Sequence, residues 1–251
     1  MAIIIFFIAH WYLSLFAQSF LMHRYAAHAD FKMNKFWERF FYIFAYITQG
    51  SSYLSARAYG ILHRMHHAYT DTPKDPHSPK YFSNLFTMMR ATAKIYSDIF
   101  DGIYPVEERF TKNLPDWPSL DKWAQSLPSR LMFGVLYLAF YIHFAHYWWL
   151  YLLLPVQIMI SPVHGAVINW FAHKYGYRNF DLNNTSRNIM PLDIFMLGEG
   201  YHNNHHKYAS SINFGVRWFE IDPVYYIILF FSLLGIVHIK PKSERRVVSE
   251  F

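Results

Sequence analysis

Histidine is the residue type in this sequence that is most capable of chemistry. The chain has 251 residues with 15 histidines and no cysteine. Eight of the histidines lie in three short motifs, H-R-Y-A-A-H at 23–28, H-R-M-H-H at 63–67 and H-N-N-H-H at 202–206, and His173 stands between the last two. Neutral imidazole is a common metal ligand. The three motifs therefore indicate a metal site with more ligands than one ion can accept.

The spacing within the motifs suits helices. Residues three and four apart share a face of an α-helix, so the three histidines of 63–67 are predicted to point together, and so are those of 202–206. His23 and His28 are five apart and share no face of a regular helix, so they would have to meet at a frayed helix end. Asn169 lies four residues before His173, and both are expected to face the same way.

Nine imidazoles are too many for a zinc site. Structural zinc takes four ligands, and catalytic zinc takes three ligands plus water. A mononuclear non-haem iron site normally adds a carboxylate, which none of the motifs supplies. Without cysteine, the chain offers no thiolate zinc site, iron–sulfur cluster or disulfide. Two irons, each with four or five imidazoles, fit this ligand set best.

Two uncharged runs predict a membrane protein. Residues 131–173 contain no Asp, Glu, Lys or Arg and are long enough for two helices, which we expect to form a hairpin broken near Pro155. Residues 1–23 are long enough for one span. Residues 40–56 and 224–239 are shorter, and we expect them to lie on one membrane face. If 40–56 crossed the membrane, the first two motifs would lie on opposite sides.

The predicted architecture is all-α, a single integral membrane domain over 1–251. It has about three to four spans, at about 2–22 and 131–172, and a cytoplasmic helical cap at about 23–130 and 173–251. Basic residues follow the first span (Arg24, Lys32, Lys35 and Arg39), and such an excess marks the cytoplasmic side. The segment 68–129 is rich in proline and is expected to form short helices and loops.

The net charge of +6 fits basic cytoplasmic loops better than nucleic-acid binding, because the aromatic residues lie in apolar runs rather than among basic ones. The remaining six histidines are assigned to other roles. His10 and His238 are expected to be packing or interfacial residues. His143, His146 and His164 lie in the uncharged hairpin and are expected to be neutral and hydrogen-bonded to a neighbour. His77, in D-P-H-S-P, is expected in a loop beside the ligands.

The motifs resemble, in order, the three histidine boxes of membrane fatty acid desaturases of the stearoyl-CoA (delta-9) type, in a bacterial-like form. The third box extends to G-E-G-Y-H-N-N-H-H at 198–206. N-W-F-A-H-K-Y-G-Y-R at 169–178 is similar to the family's N-x-x-x-H-x-x-G-x-R segment, and D-P-H at 75–77 matches as well. The resemblance covers residues 13 to about 240.

The resemblance implies two iron ions (Fe2+/Fe3+) with O2 as co-substrate, and a cis double bond formed in a saturated acyl chain. The implied ligands are His23, His28, His63, His66, His67, His173, His202, His205 and His206, with Asn169 acting through a water. Asp75, His77 and Glu199 are candidates for orienting these ligands. Electrons would come from an external donor such as ferredoxin or a cytochrome b5-type carrier, and the acyl chain would be linked to CoA, a lipid or a carrier.

Two departures from the family pattern keep alternatives open. Only one span precedes the first box, where the family has two. The family's S-H-x-G-W segment after D-P-H is here F-S-N-L-F-T-M-M at 82–89, which leaves acyl-CoA and lipid-linked or carrier-linked substrates open. A diiron fatty acid hydroxylase is the alternative enzyme. A membrane metal transporter is the alternative of another class, although the hairpin offers only His143, His146 and His164 as ionisable residues.

Overall fold

The computed structural model describes residues 1–241, and the regular structure of this part of the chain is almost entirely helical. Its one sheet is a pair of two-residue strands, β1 (Phe31–Lys32) and β2 (His238–Ile239), which run antiparallel. The helices named below are numbered in chain order. The predicted all-α class therefore agrees with the structure.

The first span is one continuous rod. α1 (Ala2–Ala17) runs directly into a π-helix (Gln18–Ala27), and together they form a 26-residue helix that is long and apolar enough to cross a membrane. It carries no charged residue before Arg24, so its length suits the hydrocarbon core of about 30 Å. The rod ends at Ala27, so it carries nearly all of the first histidine motif at 23–28.

Two helices connect the first motif to the second. α2 (Lys35–Gln49) begins at Asn34, whose side chain accepts the Trp37 N–H, and α3 (Ala56–Tyr69) begins at Ser55, whose hydroxyl accepts the Ala58 N–H. Such caps satisfy N–H groups that the first turn leaves free. α2 has 15 residues and is not among the candidate spans, in line with the prediction for 40–56.

A tight 3₁₀ turn, Gly50–Ser52, separates these two helices. Gly50 has a φ of +51°, and a Cβ atom there would collide with the hydroxyl of Tyr137 in the uncharged hairpin. Only glycine adopts such a conformation without a side chain in the way. The turn is therefore held closely against the membrane hairpin.

The proline-rich segment 68–129 contains the expected short helices and, in addition, one long helix that the sequence did not predict. It contains a 3₁₀ turn (Pro79–Tyr81), α4 (Leu85–Phe100), α5 (Glu108–Thr111) and α6 (Pro118–Ala124). α4 has 16 residues and starts with a capping box between Asn84 and Thr87. α5 and α6 are short, as predicted.

The hairpin has one straight arm and one bent arm. The straight arm is α7 (Leu127–Phe144). The bent arm comprises a 3₁₀ helix (Trp148–Leu153), α8 (Leu154–Ile158), α9 (Ile160–Ala166) and a second π-helix (Val167–Phe171), with a bend of 76° between α8 and α9. By length and apolar character there are two candidate spans, or three if the bent arm counts as one. The sequence predicted about three to four spans, so the two counts agree only if the bent arm is one span.

The predicted break between the two arms lies at residues 145–147, before Pro155, which instead sits in the first turn of α8. A separate bend, which the sequence did not predict, lies at Met159 within the second arm. Pro162 has no N–H to give to the Ile158 carbonyl, and the Ser51 hydroxyl donates to that carbonyl at 2.8 Å. On the other side of the bend, the Ser161 N–H donates to the Ser52 hydroxyl at 3.1 Å. The Gly50–Ser52 turn thus satisfies the backbone groups that the break exposes.

The C-terminal part of the described chain packs against the π-helix of the first span and against α2. Residues 172–201 have little regular structure, and α10 (His202–Lys207) and α11 (Pro223–Leu233) follow. α11 has 11 residues, which is too short to span a bilayer. Its buried Val224 and Ile228 pack in the largest apolar core with Phe20, Tyr42 and Tyr53. This core joins the π-helix of the first span to α2 and α11.

Candidate metal centre

The nine motif histidines converge from four places in the chain and form two groups. Ring nitrogens within each group all lie within 4.8 Å of one another. The five-histidine group is His23, His28, His63, His67 and His205. The four-histidine group is His66, His173, His202 and His206. The sequence predicted two ions with four or five imidazoles each, and the structure has this arrangement of side chains.

The spacing of the ring nitrogens suits metal coordination. In the five-histidine group the Nε2 atom of His205 lies 3.1 Å from that of His23 and 2.8 Å from that of His67. In the four-histidine group, Nε2 of His202 lies 3.0 Å from that of His173 and 3.0 Å from that of His206. Nitrogens bound to one ion at about 2.1 Å are about 3.0 Å apart at right angles and roughly 3.4 Å apart at tetrahedral angles. The contacts are therefore closer to those of five- or six-coordinate ions than to tetrahedral zinc.

The π-helix explains how two histidines five residues apart reach the same group. A step of five residues in an α-helix turns the chain by about 140° beyond a full turn. Widening the helix to roughly 4.4 residues per turn reduces that angle to about 50°. The His28 N–H donates to the His23 carbonyl at 3.1 Å, an i+5 bond, and the two rings lie 5.0 Å apart. The expected frayed end is instead an ordered π-helix.

Each H-x-x-H-H motif divides its histidines between the two groups. On α3, His63 and His67 belong to the five-histidine group, and His66 belongs to the other. On α10 the four-apart pair, His202 and His206, belongs to the four-histidine group, while His205 belongs to the five-histidine group. Residues four apart differ by about 40° around a helix, whereas adjacent residues differ by about 100°. The motif therefore presents ligands on two flanks of one helix.

Side chains behind the histidines fix their ring orientation. Glu199 lies 2.5 Å from Nδ1 of His23, and Asp75 lies 2.9 Å from Nδ1 of His66. The Thr185 hydroxyl lies 3.0 Å from Nδ1 of His173. A partner at the second ring nitrogen directs the first toward the metal. Asp75 and Glu199 stand where the sequence placed orienting groups, whereas Thr185 was not foreseen.

A buried arginine ties the five-histidine group to the C-terminal part of the chain. Arg24 is fully buried and donates to Glu199 at 2.7 Å and to Asp222 at 2.8 Å. Its guanidinium also lies over the Phe214 ring. Burial alone would raise the pKa of Glu199, but His23 and Arg24 lower it to about 2. The carboxylate that faces His23 is thus held in its charged form.

The second arginine of the motifs is also buried. Arg64 donates to the Ala26 and Ala27 carbonyls at the end of the π-helix, at 3.0 and 2.8 Å, and to the Lys112 carbonyl at 2.7 Å. The sequence placed Arg24 among the basic residues that follow the first span and assigned no role to Arg64. Each arginine directly follows the first histidine of its motif, and this shared position could have indicated a common structural role.

Burial keeps the imidazoles neutral, which is the form that binds metal. Burial, followed by the charges of neighbouring rings, lowers the pKa of His28, His63, His67, His202, His205 and His206 well below the usual value. Burial also lowers the pKa of His173 to about 3. For Asp75 burial raises the pKa, but His66 beside it more than reverses the shift and holds the pKa below its usual range.

A small cavity of about 50 Å³ lies beside both groups. Its walls include His23 and His63 from one group, His202 from the other, and the half-buried Asn169. Leu15, Leu62, Ile168 and Met196 supply apolar surface. Asn169 belongs to the second π-helix. The cavity therefore has room for a small reactant beside both groups.

Two further histidines line this cavity. His77 lies against His66 with ring centroids 4.2 Å apart and ring planes inclined by 32°, in the loop position that the sequence predicted. His164 packs edge-on against Trp11, and within residues 1–241 neither of its ring nitrogens has a hydrogen-bond partner. The prediction of a hydrogen-bonded neighbour was wrong for His164. His10 packs against Phe6 and Tyr137, and His143 and His238 are exposed outside the groups.

Comparison with known proteins adds an independent line of support. The family model for fatty acid desaturases matches residues 1–231. Delta-9 acyl-lipid desaturases 2 and 1 of Arabidopsis thaliana are 29% and 30% identical, each over 89% of this chain and 71% of the relative. The sn-1 stearoyl-lipid 9-desaturase of Synechocystis sp. is 32% identical over 85% of this chain and 64% of its own length. Because one family model spans all nine histidines and nearly the whole chain, the protein belongs to the fatty acid desaturase family and is an oxidoreductase that introduces a double bond into an acyl chain.

Proposed function

We propose that this protein introduces a cis double bond into a saturated, lipid-linked acyl chain by means of two irons held by the nine histidines. The observation that carries the proposal is the division of the nine imidazoles into a group of five and a group of four. Each group alone is a sufficient ligand set for one ion. The absence of cysteine and the right-angle spacing of the nitrogens favour iron over structural zinc.

Asn169 is proposed to complete the four-histidine group through a water. Its side chain lines the same cavity as His202, and four imidazoles leave room for further ligands on an ion with five or six positions. Glu199 and Asp75 accept the Nδ1 protons of His23 and His66, which leaves Nε2 of each ring free to bind. His77 is proposed to support His66 by packing against its ring.

Iron would supply the capacity to reduce O2 and remove hydrogen from unactivated methylenes. The overall reaction converts two adjacent methylenes, O2, two electrons and two protons into an alkene and two waters, so an external electron donor is required. The chain's own residues exclude bulk water, because the cavity walls are buried histidines and apolar side chains. They also keep the imidazoles neutral through burial.

The lipid-linked substrate is proposed from two features. Relatives with about 30% identity are named acyl-lipid or stearoyl-lipid desaturases. The segment 82–89 lacks the S-H-x-G-W pattern of the stearoyl-CoA type. We further propose that the histidine groups lie on the cytoplasmic side, because Lys32, Lys35 and Arg39 follow the first span. A ferredoxin or a cytochrome b5-type carrier is the proposed donor.

Expression in a host that lacks its own desaturase, followed by profiling of the host's fatty acids, tests the proposal. We expect new monounsaturated chains, concentrated in the glycerolipid fraction, and about two irons per purified chain. The matched variant His66→Ala should insert into the membrane without forming product. Alcohols in place of alkenes would assign the chain to hydroxylation. Zinc as the sole metal, with no oxygen uptake, would overturn the proposal.

A further inference from the structure

A second cavity lies on the membrane hairpin, outside the histidine site. It is a groove of about 460 Å³ between α7 and the bent arm. Its walls are mainly apolar side chains, among them Leu131, Val135 and Leu138 of α7 and Met159 of the bend. A volume of this size lies within the usual range for small-molecule sites. The groove is therefore large enough to hold a ligand.

The bend at Met159 creates this groove. A straight continuation of α8 would keep the two arms packed together, whereas the 76° bend moves α9 away from α8. The Ser51 and Ser52 hydroxyls hold the bend through the Ile158 carbonyl and the Ser161 N–H. On the α7 side, a Cβ atom at Gly134 would meet nothing within 4 Å. The open space thus results from the bend in the backbone and from Gly134 opposite it, which has no side chain to fill the space.

The groove has one charged end. Arg130 lies at the start of α7, and the groove-lining residues Arg130, Gly134 and Leu138 follow at intervals of four along one helix face. They span about 12 Å of helix, which is most of the roughly 15 Å depth of one leaflet's hydrocarbon. The dimensions match one acyl chain whose headgroup lies level with Arg130.

The Arg130 guanidinium lacks an acidic partner within residues 1–241. It donates only to neutral oxygens, the Gln125 carbonyl at 3.1 Å, the Gln125 side chain at 3.3 Å and the Ser51 carbonyl at 3.4 Å. Charge-assisted bonds of arginine to phosphate are shorter, about 2.7–2.9 Å. The residues lining the groove include no carboxylate. An anion at this end therefore faces a cation and no competing negative charge.

We propose that this groove binds one anionic glycerophospholipid from the membrane, with an acyl chain between α7 and α9 and its phosphate on Arg130. The groove is continuous with the exposed apolar surface of α7, where Leu131 and Val135 are more than half exposed. That surface belongs to a helix long and apolar enough to span a membrane, so lipid is the surrounding solvent. A zwitterionic lipid carries a headgroup cation that Arg130 would repel.

The site is separate from the reaction chamber. α9 lies between them, with Met159 and Pro162 at the groove and His164 and Gly165 at the histidine cavity. A lipid in the groove would brace the bent arm that also carries Asn169. Binding can be measured without turnover, so failure of this proposal would be distinguishable from failure of the proposed desaturation.

Native mass spectrometry of the purified full chain with equal amounts of phosphatidylglycerol and phosphatidylcholine tests the proposal. We expect one phosphatidylglycerol to be retained preferentially. Arg130→Gln should reduce that preference at least about tenfold, and Arg130→Lys should keep part of it. Gly134→Leu should reduce retention of both lipids, and it should fold because the added side chain enters open space.

Two controls match these variants. Leu136→Phe alters an exposed residue on the opposite side of α7, and Lys122→Gln removes a cation from α6 at the same end of the hairpin. Both should bind phosphatidylglycerol as the unmodified chain does. Unchanged binding in Arg130→Gln and Gly134→Leu would overturn the proposal, as would equal losses in the controls. Glycerol phosphate should not displace the lipid; if it does, the acyl chain contributes nothing and the proposal is wrong.

Discussion

The two histidine groups differ in how completely the protein encloses them. All members of the five-histidine group are buried, and His23 is backed by the Glu199–Arg24–Asp222 network. In the four-histidine group, His206 is partly exposed. Its supports, Asp75 and Thr185, each face one histidine, and within residues 1–241 neither is part of a buried arginine network like that behind His23. One group is therefore built into the packed core, and the other lies at its edge.

This difference suggests separate tasks for the two groups. Five imidazoles nearly fill the positions of a five- or six-coordinate ion, so the enclosed group leaves little room for an exchangeable ligand. Four imidazoles beside a cavity with Asn169 leave more. We expect the exchange of water or O2 to occur mainly at the four-histidine group. The predictions below run from loss of the whole site to a change at a single position.

Acid is expected to destabilise the iron-depleted protein and so to disrupt both histidine groups together. Burial holds the pKa of histidines such as His28 and His202 well below the 6.5 of the unfolded chain. Below about pH 6.5 the unfolded state then binds more protons than the folded state, so stability falls as the pH falls. Thermal unfolding of iron-depleted protein between pH 8 and pH 5 should show a steadily lower Tm. A Tm that stays constant or rises toward pH 5 would contradict the burial of neutral imidazoles.

His205→Ala should disable the five-histidine group and leave the other group able to bind. His205 lies between His23 and His67, so its loss removes a ligand at the centre of the group. Activity should fall by about 1,000-fold or more, and bound iron should fall from about two to about one per chain. Iron quantification and fatty acid profiling measure both effects. His238→Ala, at an exposed histidine in β2, is the matched control and should change neither.

Glu199→Gln and Asp75→Asn compare the supports of the two groups. Each removes a negative charge that faces one ligand, which typically costs about 10–100-fold in metal affinity or activity. Glu199→Gln should have the larger effect and should also lower the Tm, because Asp222 is then the one carboxylate within the described residues that pairs with buried Arg24. Iron retention during chelator titration, together with thermal unfolding, separates the two variants. A larger loss of Tm in Asp75→Asn than in Glu199→Gln would contradict the conclusion that the five-histidine group is the more firmly built into the core.

Asn169→Ala should have the smallest effect. All nine imidazoles remain, and only one hydrogen bond to a proposed water is removed, so turnover should fall about tenfold while iron content stays near two. Rate measurements at saturating electron donor, with iron assays on the same samples, test this expectation. If Asn169→Ala loses one iron as His205→Ala does, Asn169 contributes more than a bond to water.

The sequence predicted much of the site because its signals are local. The positions of the nine histidines, the uncharged runs and the pairing of Asp75 and Glu199 with ligands all follow from short motifs. The missed features depend on distant partners. The bend at Met159 is held by Ser51, 107 residues away from Ile158, and Arg24 meets Asp222 from 198 residues away. Periodicity does not predict such contacts, or the local change from α- to π-helix at Gln18.

Arg64 ties two of the motifs together through hydrogen bonds that involve no histidine. Its guanidinium joins α3 to the carbonyl end of the π-helix and to the segment after α5, and it thereby helps to position His28 and His63, whose Nε2 atoms lie 2.9 Å apart. Zinc fingers, in contrast, rely on metal binding to hold their ligand-bearing segments together. In this chain a buried cation shares that task with the ligands themselves.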